Sequence, residues 1–186
     1  MGEMDRKLTP MKGDKSVVSP PDFQAVGTLE GSLQLQDSQL FQFVTVDGLT
    51  LDTLLTPRSY PSLRGYCERI GQPFPWTVYP KTDPQGDIIF VRLSGYPPSE
   101  DRKVDEFWIS GRVGQQQAGV ISVRIHPNRC LTLDGVRSVP LRSFPPFFVN
   151  LQGELPGEAI GELWRFTCQR QGLRLEIRDG FKVKDR

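Results

Sequence analysis

Arginines placed beside aromatic residues are the main chemical resource of this chain. In "FWISGRVGQQQAGVISVRI", residues 107–125, Phe107 and Trp108 precede Arg112 and Arg124. Near the C-terminus, "ELWRFTCQRQGLRLEIRDGFKV" offers Arg165, Arg174 and Arg178, followed by Lys182 and Lys184. A guanidinium grips phosphate oxygens with a two-pronged fork, and an exposed aromatic face stacks on any base, so the combination is a platform for single-stranded nucleic acid. Arg112, Arg124, Arg165, Arg174, Arg178 and Lys182 are the expected phosphate contacts, with Trp108 the expected stacking surface. Glu162, Glu176 and Asp179 lie among them and would consume part of that charge by cross-strand pairing. The sequence pI of 7.7 is also modest for a polyanion binder.

Catalytic chemistry is poorly provided for. His126, in "RIHPNRC", is the only histidine, so neither a multi-histidine metal site nor an evident nucleophile–base pair can be assembled. Phosphate-cradling, dinucleotide, nucleophile-elbow and zinc-protease motifs are all missing. The carboxylates of "SEDRKVDE" alternate with Arg102 and Lys103 in a proline-flanked loop, which reads as a solvated connector. The expectation is a non-enzymatic protein without catalytic residues, metal or cofactor. The three cysteines Cys67, Cys130 and Cys168 are widely spaced and form no C-x-x-C pair, which fits a reducing compartment. No apolar run approaches the ~18 residues of a membrane span, and the first residues lack the apolar core of a secretory signal; the expected location is cytoplasmic.

Two other uses of the chain compete with nucleic-acid binding. The Phe/Pro-rich stretch 143–151 carries Phe144, Phe147 and Phe148, which could dock on a protein partner or mediate assembly. A barrel with "QPFPWTVYP" at its mouth could enclose a small apolar ligand. The charge distribution bears on all three readings. Residues 23–57 carry Glu30, Asp37, Asp47 and Asp52 and no cation, whereas residues 107–150 carry Arg112, Arg124, Arg129, Arg137 and Arg142 against Asp134, so a net charge of +1 conceals segments of −4 and +4. Such a split serves two partners or an internal electrostatic match.

These residues must be positioned by strands. Residues 1–22 mix charges with Pro and Gly and show no amphipathic period, so a flexible arm is expected. From Phe23 onward, short runs rich in Val, Ile, Leu, Phe and Thr are bounded by turn residues. "LFQFVTV" and "LTLDTLL" join through Asp47-Gly48; Trp164, Phe166 and Cys168 alternate with polar residues up to a turn near Gln171-Gly172; and the 107–125 stretch turns between Gly114 and Gly119. One short helix is expected in "RSYPSLRGYCERIG", with Ser59 as cap and Gly71 as terminator. The strands "WTVYP" and "DIIFVRL" follow it.

Three strands, a helix and two strands between Phe23 and Ser94 resemble the oligonucleotide/oligosaccharide-binding (OB) fold, a five-stranded, partly open barrel. The expected architecture is all-β and built of small curved barrels, with an OB-like module at 23–94, a connecting loop at 95–106 and a strand-rich second module at 107–186. That second module either forms its own barrel, the preferred reading, or merges with the first. "FQAVGTL" at 23–29 and "FWISGRV" at 107–113 share the form F-x-x-x-G-x-apolar, with a looser echo in "VNLQGEL" at 149–155. Gly27, Gly111 and Gly153 are expected inside strongly curved strands, and so short a pattern is not read as a duplicated domain.

Overall fold

The computed structural model describes residues 23–37, 40–55, 71–94, 98, 100–126 and 145–184. Ten strands account for most of them, and no described residue is helical. The expected helix lies outside the described residues apart from Gly71, which is in a turn. The expected arm, residues 1–22, lies outside them as well.

Strands β1 (Gln24–Asp37), β2 (Leu40–Thr45), β3 (Thr50–Leu55), β4 (Phe74–Thr82) and β5 (Ile88–Leu93) close on themselves in the order β1-β2-β3-β5-β4-β1. The β3–β5 pair is parallel and the others antiparallel, the strand order of an OB barrel. Strands β6 (Glu106–Gln117), β7 (Val120–Ile125), β8 (Phe147–Gln152), β9 (Leu163–Gln171) and β10 (Arg174–Lys182) repeat the scheme as β6-β7-β8-β10-β9-β6, again with one parallel pair, β8–β10.

The shared sequence pattern marks equivalent strands. Gly27 in β1 faces Val78 of β4, and Gly111 in β6 faces Trp164 of β9, the matching strand of the second barrel. The two first strands also pair with each other, Gln24 opposite Ser110 and Gly27 opposite Phe107. Aligning Gly27 with Gly111 makes Ala25 equivalent to Ile109, and these two lie directly opposite, so the strands meet about a local two-fold axis. Glycine is required here because a Cβ on Gly27 would fall 2.2 Å from the Phe107 ring, and one on Gly111 would fall 2.5 Å from the Arg124 carbonyl oxygen. Gly153, in contrast, lies just beyond the end of β8 and is not an equivalent position.

Strand alternation fills both interiors. Leu29, Leu33, Phe43, Leu51, Trp76, Val78 and Val91 point into the first barrel and are buried. The Trp76 indole donates a hydrogen bond to the Gly31 carbonyl at 3.0 Å, so its polar edge is satisfied in the core. Phe107, Ile109, Val113, Ile121, Val123, Val149, Leu151, Trp164, Phe166, Cys168 and Leu175 pack the second barrel, in one continuous cluster with the first. The 107–125 hairpin turns at Ala118 (φ 50°) and Gly119 (φ 76°), the paired positive angles of a tight hairpin. Gly114, expected to open that turn, instead occupies a bulge within β6, where the register shifts between Val113 and Gln115.

Candidate nucleic-acid interface

The outward residues of β6, β7 and β8 meet in register. Arg112 lies opposite Arg124, and Arg124 lies opposite Phe148. Directly opposed residues have Cβ atoms about 5 Å apart, so two guanidinium groups and a phenyl ring form one row across three strands. Like charges so placed repel one another, a cost that a bound anion relieves. Arg124 is exposed, and among the described residues its side chain makes no hydrogen bond or ion pair. Arg112 is half-buried and fixed by a hydrogen bond from Nη1 to the Gly161 carbonyl at 2.8 Å.

Phe148 is 47% exposed although Val149 and Leu151 beside it are fully buried. Its placement follows from the bulge: a Cβ on Gly114 would come within 2.9 Å of the Phe148 ring. The ring therefore lies over a strand position that has no side chain. Phe147, next to it, is also exposed, and Phe144 lies outside the described residues.

His126 directly follows β7 beside this row, its ring tilted against Phe23 at 4.9 Å. Partial burial and the positive field of Arg124 and Arg112 hold its pKa below the ordinary value of 6.5, so the imidazole is neutral at pH 7.

The other sequence-predicted cations lie elsewhere. Arg165 is on the outer side of β9 opposite Ser110, diagonal to Arg112. Arg174 binds Asp87 at 2.9 Å, Arg178 binds Glu176 at 3.2 Å, and the Lys182 ammonium donates to Glu162. The Glu162 carboxyl is held below its ordinary range by Lys182 and then by the Trp164 indole. Charge on the β10 side is thus largely matched in place. Trp108 lies in the seam joining the barrels, between Val26 of β1 and Thr167 of β9, with the Arg102 guanidinium over its ring at 5.0 Å. It is four residues along β6 from Arg112, about 13 Å at strand rise.

The first barrel offers a comparison. On its first three strands an outward row further along β1 places Gln34 opposite Gln42 opposite Asp52, two amides and a carboxylate, whereas the position equivalent to Arg112 is the buried Thr28. Of the charges in the acidic segment, Glu30, Asp37 and Asp52 lie on β1 and β3; of those in the basic segment, Arg112 and Arg124 lie on β6 and β7, and Arg129, Asp134, Arg137 and Arg142 lie outside the described residues.

One cation was not anticipated. Arg170 of β9 is 7% exposed, and its Nε donates to Asp105 at 2.6 Å while Nη1 and Nη2 grip Asp47 at 3.0 and 3.1 Å. Nη1 also donates to the Gly172 carbonyl at 2.8 Å. Asp47 belongs to the β2–β3 turn of the first barrel, so Arg170 clamps the barrels together. Burial disfavours its charge, but the Asp105 and Asp47 carboxylates more than offset this and raise its pKa. The Arg170 hydrogen bonds, with one from Thr45, lower the Asp47 pKa.

The Cys168 thiol is buried and pushed up to about 12 by desolvation, which leaves it unreactive. Among the described residues no group of three or more His, Cys, Asp or Glu is arranged to hold a metal ion.

Residues 109–184 match a family model described as a cyanobacterial OB-fold-like RNA-binding domain, C-terminal. The match begins in β6 and runs just past the end of β10, so it falls on the second barrel, which also carries the Arg112–Arg124–Phe148 row. No curated protein matches the chain significantly. The likeness supports nucleic-acid binding in general.

Proposed function

We propose that this protein binds single-stranded RNA on the outer face of β6, β7 and β8, with Arg124 and Arg112 holding phosphates and Phe148 stacking on a base. The observation that carries the reading is the row itself, two registered arginines ending in an exposed phenyl ring laid over Gly114. The charge attracts the backbone without regard to sequence, and the ring adds about 1–3 kcal/mol per stacked base. RNA is favoured as the ligand because the family model resembling this barrel is described as RNA-binding. A single strand is favoured because a ring can stack only on a base that is not already paired and stacked in a duplex. Arg165 lies diagonally from Arg112 on the same outer side, and Arg174, Arg178 and Lys182 each face a carboxylate.

Phe147 and Phe148, both more than 40% exposed, also favour a second reading in which the same edge receives a protein. Fluorescence anisotropy with a labelled single-stranded RNA separates the two. Saturable binding that weakens steeply with salt is expected, together with loss of affinity in Arg124→Ala. Absence of binding at low salt would overturn the RNA reading in favour of the protein one.

A further inference from the structure

The second barrel does not close by its own strands alone. Its β8–β10 seam has a single registered pair, Gln152 with Glu176. The β4–β5 hairpin of the first barrel fills the rest. The Asn150 backbone N–H donates to Thr82 Oγ1 at 2.8 Å, the Asn150 side-chain amide donates to the Asp83 carbonyl at 2.6 Å, and the Gln152 amide donates to the Gln85 carbonyl at 2.7 Å. On the other side of the seam, Asp87 bridges to Arg174, and the Ile88 N–H donates to the Leu173 carbonyl at 2.7 Å. Gly86 at the hairpin tip has φ +91°, and a Cβ there would meet the Gln152 amide at 2.8 Å. The fit is close enough to make the hairpin part of the second barrel's wall.

Asn150 and Gln152 are the outward residues that follow Phe148 along β8, so the hairpin covers the strand-binding face from Asn150 onward. Among the described residues, the exposed remainder is the row across β8, β7 and β6, about 10 Å wide at the usual strand spacing. On the first three strands of the first barrel, the position equivalent to Arg112 is the buried Thr28, and the outward row Gln34–Gln42–Asp52 carries no cation.

We infer that the protein takes up one RNA strand per chain through a short footprint confined to the second barrel, the first barrel serving as the wall that ends the site. This rests on the RNA-binding reading above and specifies its ligand: a few nucleotides crossing the strands, not a long segment tracking over both barrels. The footprint belongs at the lower end of the ~4–16 nucleotides that OB folds accommodate.

Native mass spectrometry and anisotropy of the full chain with oligouridylates of 3, 4, 6, 9 and 12 nucleotides test this. The expected result is one oligonucleotide per chain with affinity rising steeply to about four nucleotides, then gaining no more than the roughly ninefold that overlapping registers supply up to twelve. Two oligonucleotides per chain, or affinity still climbing tenfold beyond six nucleotides, would overturn the inference while leaving RNA binding intact. Absence of binding at every length would overturn the RNA-binding reading and the inference together.

Discussion

Replacing Arg170 by Met removes the one buried cation that joins the barrels among the described residues, while keeping most of the side chain's volume. Four hydrogen bonds disappear, two to Asp47, one to Asp105 and one to the Gly172 carbonyl. Their weights differ with exposure. The Asp47 side chain is 45% exposed and the Asp105 side chain 25%, so both carboxylates regain water when Arg170 is lost. The Asp47 arm, at a wet rim, contributes about 1 kcal/mol. The more buried Asp105 and Gly172 arms bring the whole clamp to about 3 kcal/mol, the lower edge of what breaking a buried ion pair costs. At a urea m-value of about 2 kcal/mol/M, Arg170→Met should lower the unfolding midpoint by about 1.5 M.

The pH dependence gives a second handle on the same contact. The Arg170 hydrogen bonds, then that of Thr45, depress the Asp47 pKa, so its stabilisation is complete above the ordinary aspartate value of about 3.9. It is lost as pH falls through the lower folded value. Asp47→Asn should therefore cost about 1 kcal/mol at pH 7 and nothing once pH is below that folded value. An Arg170→Met protein within about 0.5 kcal/mol of wild type would refute the clamp, as would an Asp47→Asn cost that grows as the pH is lowered from 7 into the acid range.

Other expectations concern the RNA face and the barrel seam. Phe148→Ala should weaken single-strand binding by about 1–3 kcal/mol in anisotropy titrations, with little change in Tm because the ring is half exposed. Arg124→Ala should reduce the slope of log affinity against log salt by about 0.7, the single-strand value for one phosphate contact. The sole histidine gives a clean NMR titration: His126 should have a pKa below 6.5 in the free protein, and a phosphate held by Arg124 should move it upward. Gly27→Ala would force a methyl into the Phe107 ring and should cost about 1–3 kcal/mol in chemical unfolding, without affecting the RNA face directly.

Local features of the fold were legible wherever residue type forces geometry. Asp47-Gly48 and Gln171-Gly172 form the expected turns, with Gly48 and Gly172 at positive φ. The turn of the 107–125 hairpin was blurred because Gly114 and Gly119 both qualify, and Ala118 does not announce the left-handed conformation it adopts. The motif at Phe23 and Phe107 announced curved strands and not a duplication, yet in the structure it falls on the equivalent first strands of two barrels. What it could not convey were the parallel pairings β3–β5 and β8–β10, which join strands distant in sequence and depend on packing around a closed barrel.

The candidate site was legible in its ingredients and not in its grouping. Arg112 and Arg124 share a hairpin, so their register follows from the turn. Phe148 joins them only through the β7–β8 pairing, across a long connector that fixes no register. The sequence therefore assigned the phenyl ring to a protein interface and looked to Trp108 for stacking, although Trp108 belongs to the barrel seam. Arg170 carried a readable signal, since it shares the inward parity of Trp164, Phe166 and Cys168. A charged residue on the core side of a strand must find a partner, and the segment rich in acids supplied Asp47.

The location of RNA on the protein tests the central claim most directly. Amide chemical-shift mapping of the labelled chain, titrated with a short oligouridylate, should perturb β6, β7 and β8 around Arg112, Arg124 and Phe148 and leave the Gln34–Gln42–Asp52 row of the first barrel unchanged. Perturbations centred on the first barrel, or on β10 around Arg174 and Arg178, would contradict the account.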